Sequence, residues 1–131
     1  MKRRSFLWLS IAGTAALTVP HFSCDTKNQA LEKTLSQPEV LSRICDEKTL
    51  KDIGHAYRKK IETEDDYNKL QHFLLSDPSG QEINKSGKIE IIRKSIISSI
   101  EKDFEKGRII KVDGWILSIT EARQCALFSL L

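Results

Sequence analysis

The chain of 131 residues is poor in the residues from which metal and cofactor sites are usually built. It has three cysteines and three histidines, and no two cysteines form a C-x-x-C pair, so no zinc or haem motif is present. It also lacks a G-x-G-x-x-G and a G-x-S-x-G segment, the signatures of dinucleotide binding and of the hydrolase nucleophile elbow. The sequence therefore predicts no cofactor, no bound metal and no catalytic residue.

An excess of positive charge is also missing once the first residues are set aside. The formal net charge is +3, and Lys2, Arg3 and Arg4 are the only charged residues before position 25. Residues 25–131 are therefore electrically balanced. Nucleic-acid binding depends on a basic patch or stripe, so we predict no nucleic-acid partner.

No apolar run reaches the length of about 20 residues that a membrane-spanning helix needs, but a shorter one follows the basic start. Three cations and then the apolar residues 6–19 match the first two regions of a secretory signal peptide. The pair Arg3-Arg4, followed by Phe6-Leu7, resembles the twin-arginine consensus S-R-R-x-F-L-K, which directs folded proteins to export. A Sec signal that carries two arginines is one alternative, and an uncleaved anchor or an amphipathic helix is another. Both signal readings predict a periplasmic or envelope-anchored protein.

The leader ends at a cysteine rather than at an A-x-A cleavage site. Ser23-Cys24 resembles a lipobox, in which the cysteine becomes lipid-modified, although His21 stands where an aliphatic residue is usual. In the alternative, Cys24 is discarded with the signal. We predict a signal peptide over 1–24, a flexible tether over 25–35 and a single domain over 36–131.

Two further cysteines, Cys45 and Cys125, remain in the mature part. In an exported protein they are compatible with one disulfide, which would stabilise so long a loop by about 4 kcal/mol. The alternative is two buried thiols that pack as small apolar side chains.

Apolar residues at spacings of three and four predict helices through most of the domain. Ser36 is expected to cap a short helix that buries Val40, Leu41 and Ile44. A second helix follows Asp46, a third begins near Glu64 with the acidic side chains in water, and a long one covers 88–106. The predicted inward residues of these later helices are Leu50, Ile53, Tyr57, Ile61, Leu70, Phe73, Leu74, Ile89, Ile92, Ile96, Ile100 and Phe104.

The period changes after Gly107, which we expect to end the long helix. Two short apolar runs at 109–112 and 115–117 flank Asp113-Gly114, the pair favoured in a type I′ hairpin turn. Ser118 and Glu121 then match a capping box at the start of a last helix. The predicted fold is mainly α, with one β-hairpin at about 109–117 before a final helix.

A tryptophan beside this turn suggests where a partner would bind. Trp115 is amphipathic and suits an interface, and Arg123 in the next helix is placed to reach a carboxylate of a partner. In the alternative, Trp115 closes the core and Arg123 pairs within the chain.

A twin-arginine leader joined to a helical domain without a cofactor motif resembles the small accessory subunits of exported, flavin-dependent sugar and polyol dehydrogenases, including the gluconate dehydrogenase third-subunit group. The resemblance implies a non-catalytic escort that binds a folded catalytic subunit. That catalytic subunit has no signal of its own, so the leader of the escort carries both across the membrane. The implied partner is that flavin-dependent subunit, and the implied membrane contact is the signal or a lipid on Cys24.

Two other functions stay open. One is a stand-alone lipid-anchored envelope protein with a structural or binding role. The other is a small hydrolase in which His55 or His72 acts as a general base, although neither stands in a nucleophile motif. We rank the accessory subunit first and the hydrolase last.

Overall fold

Six α-helices and one β-hairpin make up the part of the chain that the structure, a computed structural model, describes: residues 27–77, 79–85 and 87–131. Leu31–Leu131 forms one compact unit, and of the unit Met1–Ala30 only residues 27–30 are described. The predicted fold class is confirmed. In chain order the elements are α1 (27–36), α2 (Leu41–Ile44), α3 (Glu47–Lys60), a 3-10 turn (Glu62–Glu64), α4 (Tyr67–Leu74), α5 (Ile89–Glu105), β1 (Ile109–Val112), β2 (Trp115–Ser118) and α6 (Ile119–Ser129).

The last helix, α6, lies at the centre of the compact unit. It packs against α3, α4, α5 and both strands, and eight of its eleven residues are buried. Its closest neighbour is α3, because Gly54 of α3 faces the α6 backbone. A Cβ atom on Gly54 would lie 2.0 Å from the carbonyl oxygen of Cys125, so the two helices cross where only glycine fits.

The start of α6 has all of its free N–H groups paired. Ser118 Oγ accepts from the N–H of Glu121, and a Glu121 carboxylate oxygen accepts from the N–H of Ser118, which confirms the predicted capping box. The carboxylate of Asp103 on α5 accepts from the N–H of Thr120 at 2.9 Å and from its hydroxyl at 2.6 Å. This pairing fixes α5 against α6 and places a negative charge at the positive end of a helix.

The hairpin follows the predicted turn chemistry. Asp113 and Gly114 both have positive φ, 51° and 82°, as a type I′ turn requires. The preceding helix α5 ends in a Schellman motif, in which Gly107 has φ 70° and the N–H of Arg108 donates to the carbonyl of Asp103 at 2.7 Å.

The N-terminal part of the domain differs from the prediction. The described part of the predicted tether, 25–35, is helical to residue 36, because Leu35 is buried in the core and Leu31, four residues earlier, packs against it. Ser36 therefore ends a helix instead of starting one, and its hydroxyl donates to the carbonyl of Glu32.

Four residues predicted to face inward are exposed instead, and one of them is Phe73 of α4, which is 38% exposed. Helix α2 is a single turn that buries only Leu41, and it leaves Val40 and Ile44 65% and 68% exposed. On α5, Phe104 is exposed at the last turn. No helix in the described ranges is long and apolar enough to cross a bilayer.

Candidate functional site

Arg123, one of the two residues predicted to contact a partner, is held inside the domain by an acidic residue of the 3-10 turn. Its Nη2 and Nε donate to the two carboxylate oxygens of Glu64 at 2.7 and 3.2 Å. The Tyr57 hydroxyl donates to the same carboxylate, and the guanidinium lies 4.2 Å from the ring centroid of Phe73. A bidentate ion pair with a cation–π contact fixes the arginine geometrically.

The pKa values of this cluster follow from burial and pairing. Burial opposes the charged form of Glu64, but the hydrogen bonds from Arg123 and Tyr57 outweigh it and hold the pKa of the carboxyl below its usual value. Burial and the neighbouring carboxylate both raise the pKa of Tyr57. The cluster therefore holds a carboxylate, a guanidinium and a neutral phenol, and the phenol serves as a donor.

Glu64 itself was missed by the sequence interpretation, which placed the acidic run around it in water. Its neighbours along the chain, Glu62 and Asp65, are exposed while Glu64 is buried. The signal available in the sequence was Tyr57, seven positions earlier, which needs a polar partner for its hydroxyl when its ring is buried.

Trp115, the other predicted interface residue, lies on the inner face of the hairpin. It pairs with Val112 across the strands, and it is half-buried against the core. The outer face of the hairpin carries Ile109, Lys111 and Ile116 instead. The two isoleucines are 48% and 65% exposed.

Cys45 and Cys125 are thiols in the structure. Cys125 of α6 is fully buried, and Cys45, at the end of α2, is half-buried. Burial, with smaller contributions from Glu121 and Cys45, raises the pKa of the Cys125 thiol to about 12. A disulfide between them remains a prediction.

The two histidines of the hydrolase hypothesis lie on different helices, and both are exposed. His72 Nδ1 is 2.9 Å from a carboxylate oxygen of Glu82, and His55 Nδ1 is 3.4 Å from a guanidinium nitrogen of Arg58. Among the described residues, no serine, threonine or cysteine side chain hydrogen-bonds either imidazole. No group of three His, Cys, Asp or Glu side chains converges there as a metal site would require.

The predicted export and lipidation residues lie outside the described residues. They are Arg3, Arg4, Phe6, Leu7 and Cys24. Compared with known proteins, the chain matches no family model, no curated protein and no solved structure.

Proposed function

We propose that this chain is a non-catalytic exported accessory subunit that binds and carries or anchors a partner oxidoreductase. The observation that carries the proposal is an apolar surface on the side of the hairpin that points away from the domain. We call this surface the outer face, and it consists of Ile109, Lys111 and Ile116. The leader motif at Arg3-Arg4 supplies the export half of the proposal, and the outer face supplies the binding half.

The strand register places both isoleucines on the outer face of the hairpin. Val112 and Leu117 point into the domain and are buried, so the alternate positions, which include Ile109 and Ile116, point outward. A strand with one face in water normally carries polar residues at these outward positions. Two outward isoleucines on a pair of four-residue strands therefore support the proposal that another protein covers this surface.

The face, and not the open edge of the sheet, is the better docking surface. Lys60 Nζ of α3 donates to the carbonyl oxygen of Lys111 at 2.9 Å, so the β1 edge is already engaged at its centre. Lys111 lies directly opposite Ile116 and is exposed between the two isoleucines. The outer face thus suits a partner surface that combines apolar side chains with a carboxylate.

The test is to purify the tagged full chain from its native envelope and to measure the flavin absorbance and the sugar or polyol dehydrogenase activity that co-purify. We expect both with the wild-type chain. The variant Ile116→Glu should reduce co-purified activity about tenfold or more, as expected for a central interface residue. Ile44→Glu on α2 is the matched control, because Ile44 is equally apolar and is 68% exposed against 65% for Ile116.

Circular dichroism of both variants establishes that each is folded. A wild-type chain that purifies without any flavoprotein would overturn the proposal, and a stand-alone lipid-anchored envelope protein would take its place. Equal losses in Ile116→Glu and Ile44→Glu would contradict the assignment of the outer face.

A further inference from the structure

A cavity of about 320 Å³ lies between the end of α1, α2, α5 and α6, and it shares no residue with the outer face. Its size is at the lower end of the roughly 300–1,000 Å³ typical of small-molecule sites. One wall is formed by Ile96, Ile97 and Ile100 of α5. Ile96 is buried, whereas the other two are half-buried.

Gln124 of α6 brings an unpaired polar atom to this apolar wall. The residue lines the cavity and is only 1% exposed. Its Nε2 donates to the carbonyl oxygen of Thr34 at 3.1 Å, which sets the orientation of the amide. Its Oε1 is buried, and no described residue donates to it. Buried acceptors are nearly always paired, so this one calls for a donor.

The charges near the opening limit the ligand further. Among the charged residues that line the cavity, Arg93 is engaged by Glu39 and by Glu90, and Lys33 is exposed, so water solvates its charge and it requires no anionic ligand. A ligand carboxylate placed against Gln124 would face the unpaired carbonyl oxygen and be repelled by it. An ammonium there would lose its hydration against three isoleucines, at a large cost. An uncharged hydrogen-bond donor meets neither penalty.

We propose that this cavity binds a small uncharged amphipathic molecule, with an apolar body against Ile96, Ile97 and Ile100 and a terminal hydroxyl that donates to Gln124 Oε1. The chemical class is that of a medium-chain or cyclic alcohol. The site is independent of partner binding on the outer face, so either proposal can fail without the other.

The probes are n-octanol and its isomer heptyl methyl ether, which have the same atoms but differ in the donor. The full chain is titrated with each, and the methyl signals of the three isoleucines and the side-chain amide signal of Gln124 are followed by NMR. We expect n-octanol to shift these signals and to bind about three- to tenfold more tightly than the ether, the effect of one net hydrogen bond.

Three variants define the site. Gln124→Met keeps the bulk of the side chain but removes the acceptor, so it should abolish the preference for the alcohol. Ile97→Phe fills the opening and should weaken both probes, whereas Ile91→Phe, on the exposed side of the same helix, should weaken neither.

Equal affinity of the wild-type chain for the two probes would overturn the proposal, as would a preference for the alcohol that survives in Gln124→Met. Signal changes that spare the three isoleucines would overturn it too. If Gln124→Met does not fold, the wild-type comparison of the isomers and the Ile97→Phe and Ile91→Phe pair still decide the question.

Discussion

Arg123 and Glu64 stand fifty-nine positions apart in the chain, and they form a bidentate ion pair. The two side chains are 16% and 11% exposed. The pair joins α6 to the 3-10 turn before α4, and it also fixes the hydroxyl of Tyr57. It is the longest-range ion pair in the described ranges. The stability of the packing around α6 should therefore depend on it.

Replacing Arg123 by Met should lower the free energy of unfolding by about 3 kcal/mol, since it leaves a buried carboxylate without its counter-charge. Urea unfolding followed by circular dichroism measures the change. The double variant Arg123→Met with Glu64→Gln should lose less than the single one, because the unpaired charge is gone. Arg93→Met is the control: its ion pairs are exposed, so it should cost less than about 1 kcal/mol.

The pair also predicts a dependence of stability on pH. Because the folded-state pKa of Glu64 lies below its ordinary value of 4.5, its charged form stabilises the fold fully above about that pH, and this contribution is lost as the pH falls through the folded pKa. The difference in free energy of unfolding between the wild type and Glu64→Gln should thus be constant from neutral pH down to the ordinary value, and it should shrink below it. A difference that grows on acidification would contradict this sign.

Local patterns made most of the fold predictable. The Asp113-Gly114 turn and the Ser118 capping box involve residues within a few positions of each other, so the chemistry of each segment decides its own structure. The buried state of Glu64 depends on Arg123, which is distant in sequence, and no local pattern distinguishes Glu64 from its solvated neighbours.

The boundaries of the domain were less predictable for a similar reason. Polar residues 25–29 favour a flexible tether, but Leu31 and Leu35 stand one helical turn apart and pack on a core whose position the segment itself does not specify. Val40 and Ile44 follow a helical period, yet α2 is too short to bury more than Leu41. Likewise, nothing in the sequence indicates that Gln124 lines a cavity.

Gly54 should be the least replaceable small residue of the core. Gly54→Ala puts a methyl group 2.0 Å from the Cys125 carbonyl oxygen, which forces α3 and α6 apart and should cost about 3 kcal/mol. For a domain of this size, that lowers the melting temperature by about 12 °C or more. Asp52→Ala, at an exposed position of the same helix, is the control. Equal melting temperatures for the two variants would contradict the close crossing.

The cysteines should differ in reactivity. In the folded chain at neutral pH, iodoacetamide should alkylate Cys45 and leave Cys125 untouched, because burial keeps the Cys125 thiol protonated and out of reach. In denaturant both should react. Peptide mass spectrometry assigns the label to each residue. If neither cysteine reacts in denaturant until a reductant is added, the two form the disulfide that the sequence allows.

The paired arginines of the leader give the sharpest test of the export prediction. Replacing Arg3 and Arg4 together by Lys keeps the positive charge of the n-region but removes the guanidinium groups, which Lys does not replace in specific recognition. A twin-arginine signal should then fail, and the chain should accumulate in the cytoplasm, as measured by cell fractionation and immunoblotting. A Sec signal depends on the charge and should still work.

The control is Lys2→Arg, which keeps the charge and leaves the arginine pair in place, so export should continue. Unchanged export of the Lys-Lys variant would show that the leader is a Sec signal. The proposed escort role would then lose its basis, because a Sec substrate crosses the membrane unfolded and cannot carry a folded, cofactor-loaded partner with it.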